Sequence, residues 1–124
     1  MSRATSQREA IDKAFETAVG PLLPEEVLAA AQSEVPSLGQ ATVYRAIKRL
    51  EEAGDLERVT GTDGRARYEL AGDHHHHFQC RECDRVYDVP GCVRSPASLG
   101  TRLPKGFRLE GHEIWLSGVC AACA

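Results

Sequence analysis

An α+β chain, with helices gathered in its first half and short strands in its second, is what this sequence predicts. Three observations carry that expectation. Apolar residues recur at helical spacing in three successive segments before Gly54, two short alternating runs flank Asp63-Gly64, and every Cys and His lies at or beyond His74.

The first segment carries Ala10, Ile11, Ala14, Phe15 and Ala18 on one stripe, with Thr5 placed to cap it and Gly20-Pro21 to end it. Pro24 suits the first turn of a second helix, where its missing N–H costs nothing. Glu25 and Glu26 follow at the positive end of that helix dipole, and Val27, Leu28 and Ala31 face inward. After a turn over residues 33–39, a third helix is expected over residues 40–53, stopping at Gly54, with Val43, Ile47 and Leu50 as its buried stripe. Leu56–Thr60 and Ala66–Leu70 read as two strands around Asp63-Gly64, a dipeptide that tolerates the positive φ of a tight turn. Three helices and a hairpin carrying Arg65 and Arg67 describe a winged helix-turn-helix over residues 1–71. A hinge at Ala71-Gly72-Asp73 opens a small α/β second domain over residues 72–124, with strands expected at residues 74–80, 85–89 and 112–119. Residues 91–106 are rich in Pro, Gly and Ser and show little helical pattern.

The second domain has about 50 residues, a size at which apolar burial alone leaves a fold marginal and a metal or partner is commonly needed. No segment approaches the roughly 18 consecutive apolar residues of a membrane span, and Met-Ser-Arg-Ala-Thr-Ser lacks a signal-peptide core, so a cytoplasmic protein without membrane attachment is expected. In a reducing compartment paired cysteines are more often metal ligands or redox centres than structural disulfides. A net charge of -3 argues against non-specific coating of nucleic acid. Residues 37–50 nevertheless carry Arg45, Lys48 and Arg49 with no acid among them.

Cys80, Cys83, Cys120 and Cys123 form two C-x-x-C knuckles, whose sulfurs can close a tetrahedron around Zn²⁺. A dithiol redox switch is the competing reading, disfavoured because the pairs come as two and lack the helix start that activates such a motif. Cys92 stands outside the knuckles, as a buried small hydrophobe, a further ligand or a reactive thiol. On a strand, alternate side chains put His75 and His77 on one side and His74 and His76 on the other, so the tetrad can serve two sites. His112 can complete either group, and Glu69 and Asp88 can add oxygen ligands; the plain alternatives are a solvated histidine run and solvated carboxylates. Imidazole and carboxylate donors accept Fe²⁺, Mn²⁺ or Zn²⁺ exchangeably, whereas four thiolates hold zinc essentially permanently. A metal shared by Glu69 and the histidines would cross the hinge. With Val43, Ile47 and Leu50 inward, Gln40, Thr42, Tyr44, Arg45, Lys48 and Arg49 are left on an arc suited to a major groove, with Arg65 and Arg67 in the wing; Arg58 adds a phosphate contact or only solvates its strand. An ordinary basic solvated face is the plain alternative. No nucleophile, base and orienting group are legible together, so no enzyme is expected.

These features together resemble the ferric uptake regulator (Fur) superfamily of bacterial metal-dependent repressors. The resemblance runs through Thr5-x-Gln7-Arg8-x-x-Ile11, Ala41-Thr-Val-Tyr-Arg45 with Leu50 and Gly54, and Tyr68-Glu-Leu70. It continues through His74-His-His-His77-x-x-Cys80-x-x-Cys83 and His112-Glu-Ile-x-Leu-x-Gly-x-Cys120-x-x-Cys123, and covers nearly the whole chain. It implies a homodimer that binds double-stranded operator DNA through its winged helices and represses metal uptake or homeostasis genes when metal is abundant. By residue, it implies structural zinc on the four knuckle cysteines, a regulatory metal on Glu69, His75, His77 and Asp88, and an additional site on His74, His76 and His112. Tyr44 and Arg45 fall on the DNA-contacting pair.

Two departures shape the expectation. Many members place a sensing histidine at about the position of Pro21, and residues 91–106 are shorter and richer in Pro than the usual dimerisation helix, which moves the expected dimer contact onto strands. The missing histidine weakens the fit to the iron and peroxide sensors and tilts the expectation toward zinc, with an iron, manganese or peroxide sensor of the same superfamily as the alternative. A zinc-ribbon interaction or metal-storage module that never touches DNA is the alternative of another class, and a thiol oxidoreductase a third.

Overall fold

The computed structural model describes residues 2–91 and 102–124. Cys92 and most of the Pro-rich segment lie outside the described residues. The chain divides into two compact units, Met1–Gly72 and Asp73–Ala124.

In the first unit, α1 (Arg3–Glu16), α2 (Pro24–Gln32) and α3 (Gln40–Glu52) precede a hairpin of β1 (Leu56–Thr60) and β2 (Ala66–Leu70). The cap of α1 is Ser2 rather than Thr5: the Ser2 hydroxyl accepts from the Thr5 N–H at 3.1 Å, which places Thr5 inside the first turn. The helix also stops short of Gly20-Pro21, because the N–H and hydroxyl of Thr17 both turn back to the Lys13 carbonyl. Pro24 opens α2 as expected, and the Glu26 carboxylate accepts from the Leu23 N–H at 2.8 Å, satisfying a donor at the helix start. Gly54, at φ 82°, takes the left-handed turn that ends α3.

Ala10, Ile11, Ala14, Phe15, Val27, Ala31, Val43 and Ile47 are buried in one apolar cluster with Leu38, Leu56 and Tyr68. Leu28 and Leu50 are only half-buried at its margin, and Ala18, beyond the end of α1, is half-buried too. Leu22 extends the wing as an isolated bridge, exchanging both backbone hydrogen bonds with Tyr68 at 2.8 Å. The hairpin keeps the register Leu56↔Leu70 through Thr60↔Ala66, and Gly64 supplies φ 80° at its turn.

Arg67 departs from the exposed basic wing expected of it. It is 1% exposed, and its guanidinium forks onto the Asp63 carboxylate at 2.9 and 2.8 Å. Planar guanidinium geometry matches a carboxylate in this way, so Arg67 pins the wing tip. Its path runs over Gly61, where an added Cβ would sit 2.2 Å from Arg67 Nη1. Arg58 likewise forks onto Glu51, at 3.1 Å from each carboxylate oxygen, and lies over the Tyr68 ring.

The second unit holds β3 (His76–Cys80), β4 (Val86–Val89) and β5 (Trp115–Gly118) in the order β4-β3-β5. These strands begin later than the expected 74, 85 and 112, because backbone pairing starts only at His76↔Val89 and His77↔Trp115. The β3–β4 pair is antiparallel and the β3–β5 pair parallel. No helix among the described residues is long and apolar enough to cross a membrane.

Gly61→Ala is expected to destabilise the first unit by about 1–3 kcal/mol, the cost of forcing a buried side chain off its path. Urea denaturation measures it; an unchanged midpoint would mean that Arg67 yields freely.

Candidate functional site

Cys80 closes β3, and the turn after it brings Cys83 back through Asp84, whose φ is 62° and whose N–H bonds the Cys80 carbonyl at 2.9 Å. Because β5 runs parallel to β3 with Gly118 beside Cys80, the segment leaving β5 delivers Cys120 to the same end of the sheet. The Cys123 N–H bonds the Cys120 carbonyl at 3.0 Å and turns the second knuckle inward. All four Sγ atoms lie within 4.8 Å of one another, with Cys83 Sγ 3.8 Å from Cys120 Sγ. A zinc tetrahedron with Zn–S bonds of about 2.3 Å has edges of about 3.8 Å, so the four sulfurs fit the ion closely.

The local field favours deprotonation unevenly. The Tyr87 hydroxyl donates to Cys120 and lowers its pKa to about 6. The backbone N–H of Cys120 points at Cys80 Sγ at 3.4 Å and, with that of Cys83, lowers the Cys80 thiol too. Cys123 is pushed up to about 12 because its thiol donates to Cys120 and Cys83 and loses those bonds on ionising. A divalent cation is what would let all four ionise together. Tyr87 was not among the expected site residues; the structure places it on β4, opposite Phe78.

The histidines separate into two groups. His75 Nδ1 is 2.8 Å from the Asp73 carbonyl, which can only accept, so Nδ1 carries the proton and Nε2 of the neutral ring is a lone pair. That lone pair meets Asp88 Oδ1 at 3.1 Å, and His77 Nε2 lies 3.4 Å from the same oxygen. Two acceptors facing each other repel unless a proton or a cation sits between them. Donation of the far ring N–H to a carbonyl is also how metal-ligating histidines are commonly oriented. Asp88 is opposite His77 across the β3–β4 ladder, and Trp115 of β5 stacks on the His77 ring at 5.1 Å. Glu69 lies on β2 in the first unit.

His74, His76 and His112 also offer nitrogens within 4.8 Å of one another. Here the protons fall differently. The Ile114 N–H donates to His76 Nδ1 at 3.0 Å, so in the neutral ring Nε2 holds the proton, 3.1 Å from His74 Nε2. Burial lowers the His76 pKa, with His74 and His112 adding to the effect, and keeps the ring neutral. This group suits a cation only after that proton leaves or the ring gives up Ile114.

On α3 of the first unit, Gln40, Tyr44, Arg45, Lys48 and Arg49 are exposed and Thr42 is half-buried. Tyr44 leaves 51% of its surface in solvent, a large exposed aromatic on the outer arc of the helix. The Arg45 guanidinium donates to the Thr42 hydroxyl at 3.2 Å. In the wing, Arg65 is exposed and ion-paired with Glu25.

A winged helix-turn-helix joined to a small cysteine- and histidine-rich unit defines a metal-binding transcription regulator. The model of the Ferric uptake regulator family matches residues 1–116, and the chain belongs to that family. It is similar to a ferric uptake regulation protein of Bordetella parapertussis, 36% identical over 103 residues that cover 82% of this chain and 74% of that protein. Another from Neisseria meningitidis serogroup A is 33% identical over 98% of this chain and 85% of its own. Among solved structures, a zinc-bound manganese uptake regulator is 32% identical, with a TM-score of 0.79 over 96% of this chain and 91% of that one.

Zinc loading of the metal-free protein near neutral pH is expected to release fewer than four protons, since Cys120 with its pKa of about 6 starts as a thiolate. As pH falls through that value Cys120 protonates before zinc arrives, so release climbs toward four. Indicator-dye titration reads the count. Tyr87→Phe should raise it at neutral pH, and an identical count in both proteins would contradict the role given to the hydroxyl.

Proposed function

We propose that the protein is a homodimeric, metal-responsive repressor that binds operator DNA when its regulatory metal is abundant. The observation that carries the reading is the Asp73–His75–Asp88 arrangement, an oriented lone pair set against a carboxylate, in a chain that also presents a basic reading helix. Cys80, Cys83, Cys120 and Cys123 would hold a structural zinc. His75, His77 and Asp88, together with Glu69, would hold the exchangeable metal, and His74, His76 and His112 an additional one. Glu69 is assigned from its place in the chain, next to the last residue of β2 and separated from the donor histidines only by residues 70–74. The bound cation supplies positive charge where acceptors now face each other. Everything else falls to the chain: Asp73 orients His75, the β3–β4 register fixes Asp88 against His77, and Trp115 backs the His77 ring. A ligand set reaching from Glu69 to Asp88 would bias the hinge toward one arrangement of the reading helix, and metal occupancy would set the fraction of binding-competent dimers.

Zinc is the metal we assign to this site. Pro21 has no donor side chain, and two imidazoles with two carboxylates suit a four-coordinate ion better than the six oxygen-rich positions manganese prefers. Dimerisation is supported by exposed apolar side chains in the second unit: Phe107 is 68% exposed and Leu116, on the edge strand β5, 40%. Gln40, Thr42, Tyr44, Arg45, Lys48, Arg49 and Arg65 are the residues assigned to DNA, with Arg65 leaving Glu25 for phosphate.

Duplex binding by the protein with its thiolate zinc in place should tighten with added Zn²⁺ at lower buffered free concentration than with Fe²⁺ or Mn²⁺. Tighter binding with iron or manganese at their cellular free levels would reassign the metal. His75→Ala and Asp88→Ala should each abolish the metal response while leaving one tightly held zinc per chain. Arg45→Ala should cost about 1–3 kcal/mol of discrimination between the operator and unrelated duplex, as removal of a base-reading side chain does. Unchanged operator binding by Tyr44→Ala and Arg45→Ala together would contradict the assignment of α3, and absence of operator binding by the unsubstituted protein at any metal level would point to the storage module instead.

A further inference from the structure

The cations of the first unit divide into two populations. Arg58, Arg65, Arg67 and Lys13 each hold a carboxylate, on Glu51, Glu25, Asp63 and Glu34 respectively. Among the described residues, Arg3 and Lys48 hold none, and neither do Arg8, Arg45 and Arg49. Those three converge on one groove of about 250 Å³ between α1 and α3, and no acidic side chain lines it. Ile11 and Ala46, 2% and 9% exposed, form its apolar floor and fix the spacing of the two helices beneath the guanidinium groups.

The helix ends add a second, independent sign of the same preference. Ala4 and Thr42 on the rim belong to the first turns of α1 and α3. Neither first turn carries an acid, whereas that of α2 carries Glu25 and Glu26. Neither of these two helix dipoles is therefore met by an acid beside the groove, although the Ser2 hydroxyl caps α1, while that of α2 is answered by two carboxylates. Three guanidiniums without a carboxylate around one concavity, beside two helix starts that carry no acid, describe a seat for a compact anion.

We propose that this groove seats a backbone phosphate of duplex DNA, with Arg8 of α1 as a contact distinct from the base-reading arc of α3. The inference rests on the reading of α3 as the DNA-reading helix. Arg45 and Arg49 belong to both surfaces, so a phosphate held between them and Arg8 would set the register of α3 along the groove of the duplex. Phosphate contacts fix position and carry no sequence information themselves. Arg8 of α1 accordingly acts on affinity and salt dependence, and the exposed arc of α3 on discrimination.

The test uses the zinc-loaded full chain and a duplex enriched from a randomised pool by the unsubstituted protein, with binding followed by fluorescence anisotropy over a salt series. Arg8→Gln should weaken the enriched and an unrelated duplex by a similar factor, about tenfold, and lower the log–log salt slope by about 0.9 for each phosphate no longer neutralised. Arg8→Lys should keep the slope. Lys13→Gln, which removes the same charge from the same helix outside the groove, should keep it as well. Arg8 is exposed, so its variants should melt as the parent does. If Arg8→Gln retained the parent slope, or Lys13→Gln lost as much, the phosphate seat would be overturned while the DNA-reading role of α3 stood. Weakening confined to the enriched duplex would make Arg8 a base reader and also overturn the proposal. Failure of the unsubstituted protein to enrich any duplex would sink both readings.

Discussion

The convergence of four thiols at one end of a three-stranded sheet is the constraint on which the second unit depends. The large apolar cluster belongs wholly to the first unit. In the second, the buried side chains among the described residues are His76, His77, Gln79, Cys80, Val86 and Cys120, mostly polar groups or potential ligands. A unit so built cannot hold itself together by apolar transfer. Zinc on the four cysteines, as proposed, would contribute apparent free energy on the order of 10 kcal/mol, enough to take the place of a core. The consequence reaches along the strands: once Cys80 and Cys120 are pinned together, β3 and β5 are locked in parallel register, and β4 is carried along by its ladder to β3. His77 then finds Asp88 on one side and Trp115 on the other. On the proposed assignment, an exchangeable site is thus suspended from a permanent one.

The first unit is held differently. Its helices bury small and branched side chains, leaving the polar arc of α3 free of structural duty. Its charges are sorted along the same division. Arg67 and Arg58 stiffen the wing through carboxylates, which removes them from the pool of cations available to a polyanion. Those left unpaired gather beside α3. An acidic protein can in this way present a local positive face, because what a phosphate meets is the field within about a Debye length, roughly 10 Å at ordinary salt, and not the net charge of -3.

Much of this was legible in the sequence wherever a residue type forces a local geometry. The hairpin strands have the bounds expected of them because Asp63-Gly64 and the alternation flanking it leave little freedom. Pro24 and Gly54 mark helix boundaries for equally local reasons. The alternating sides of the histidine tetrad survive although β3 starts only at His76, since an extended approach is sufficient for alternation. What was not legible depends on competition or on backbone. Ser2 and Thr5 are both competent caps, and only the direction of chain entry decides between them. Arg67 reads as a wing cation until Asp63 folds back to take it. The Asp73 carbonyl and Ile114 N–H leave no trace in residue identity, yet they fix the tautomers of two histidines.

Those two backbone groups explain how four consecutive identical side chains can serve different ends. A carbonyl beside Nδ1 forces its proton to stay and frees Nε2 as a lone pair; an N–H beside Nδ1 does the reverse. His75 is therefore set as a donor without further rearrangement, while His76 must surrender a hydrogen bond worth about 1 kcal/mol before it can ligate. Asp88 widens the gap, because its charge both attracts a cation and is left facing a lone pair without one. The group His75, His77 and Asp88 should accordingly fill at lower free metal than the group His74, His76 and His112. An order of filling imposed on the imidazoles by backbone, and reinforced by Asp88, would let the first group respond to a metal concentration at which the second is still proton-bound.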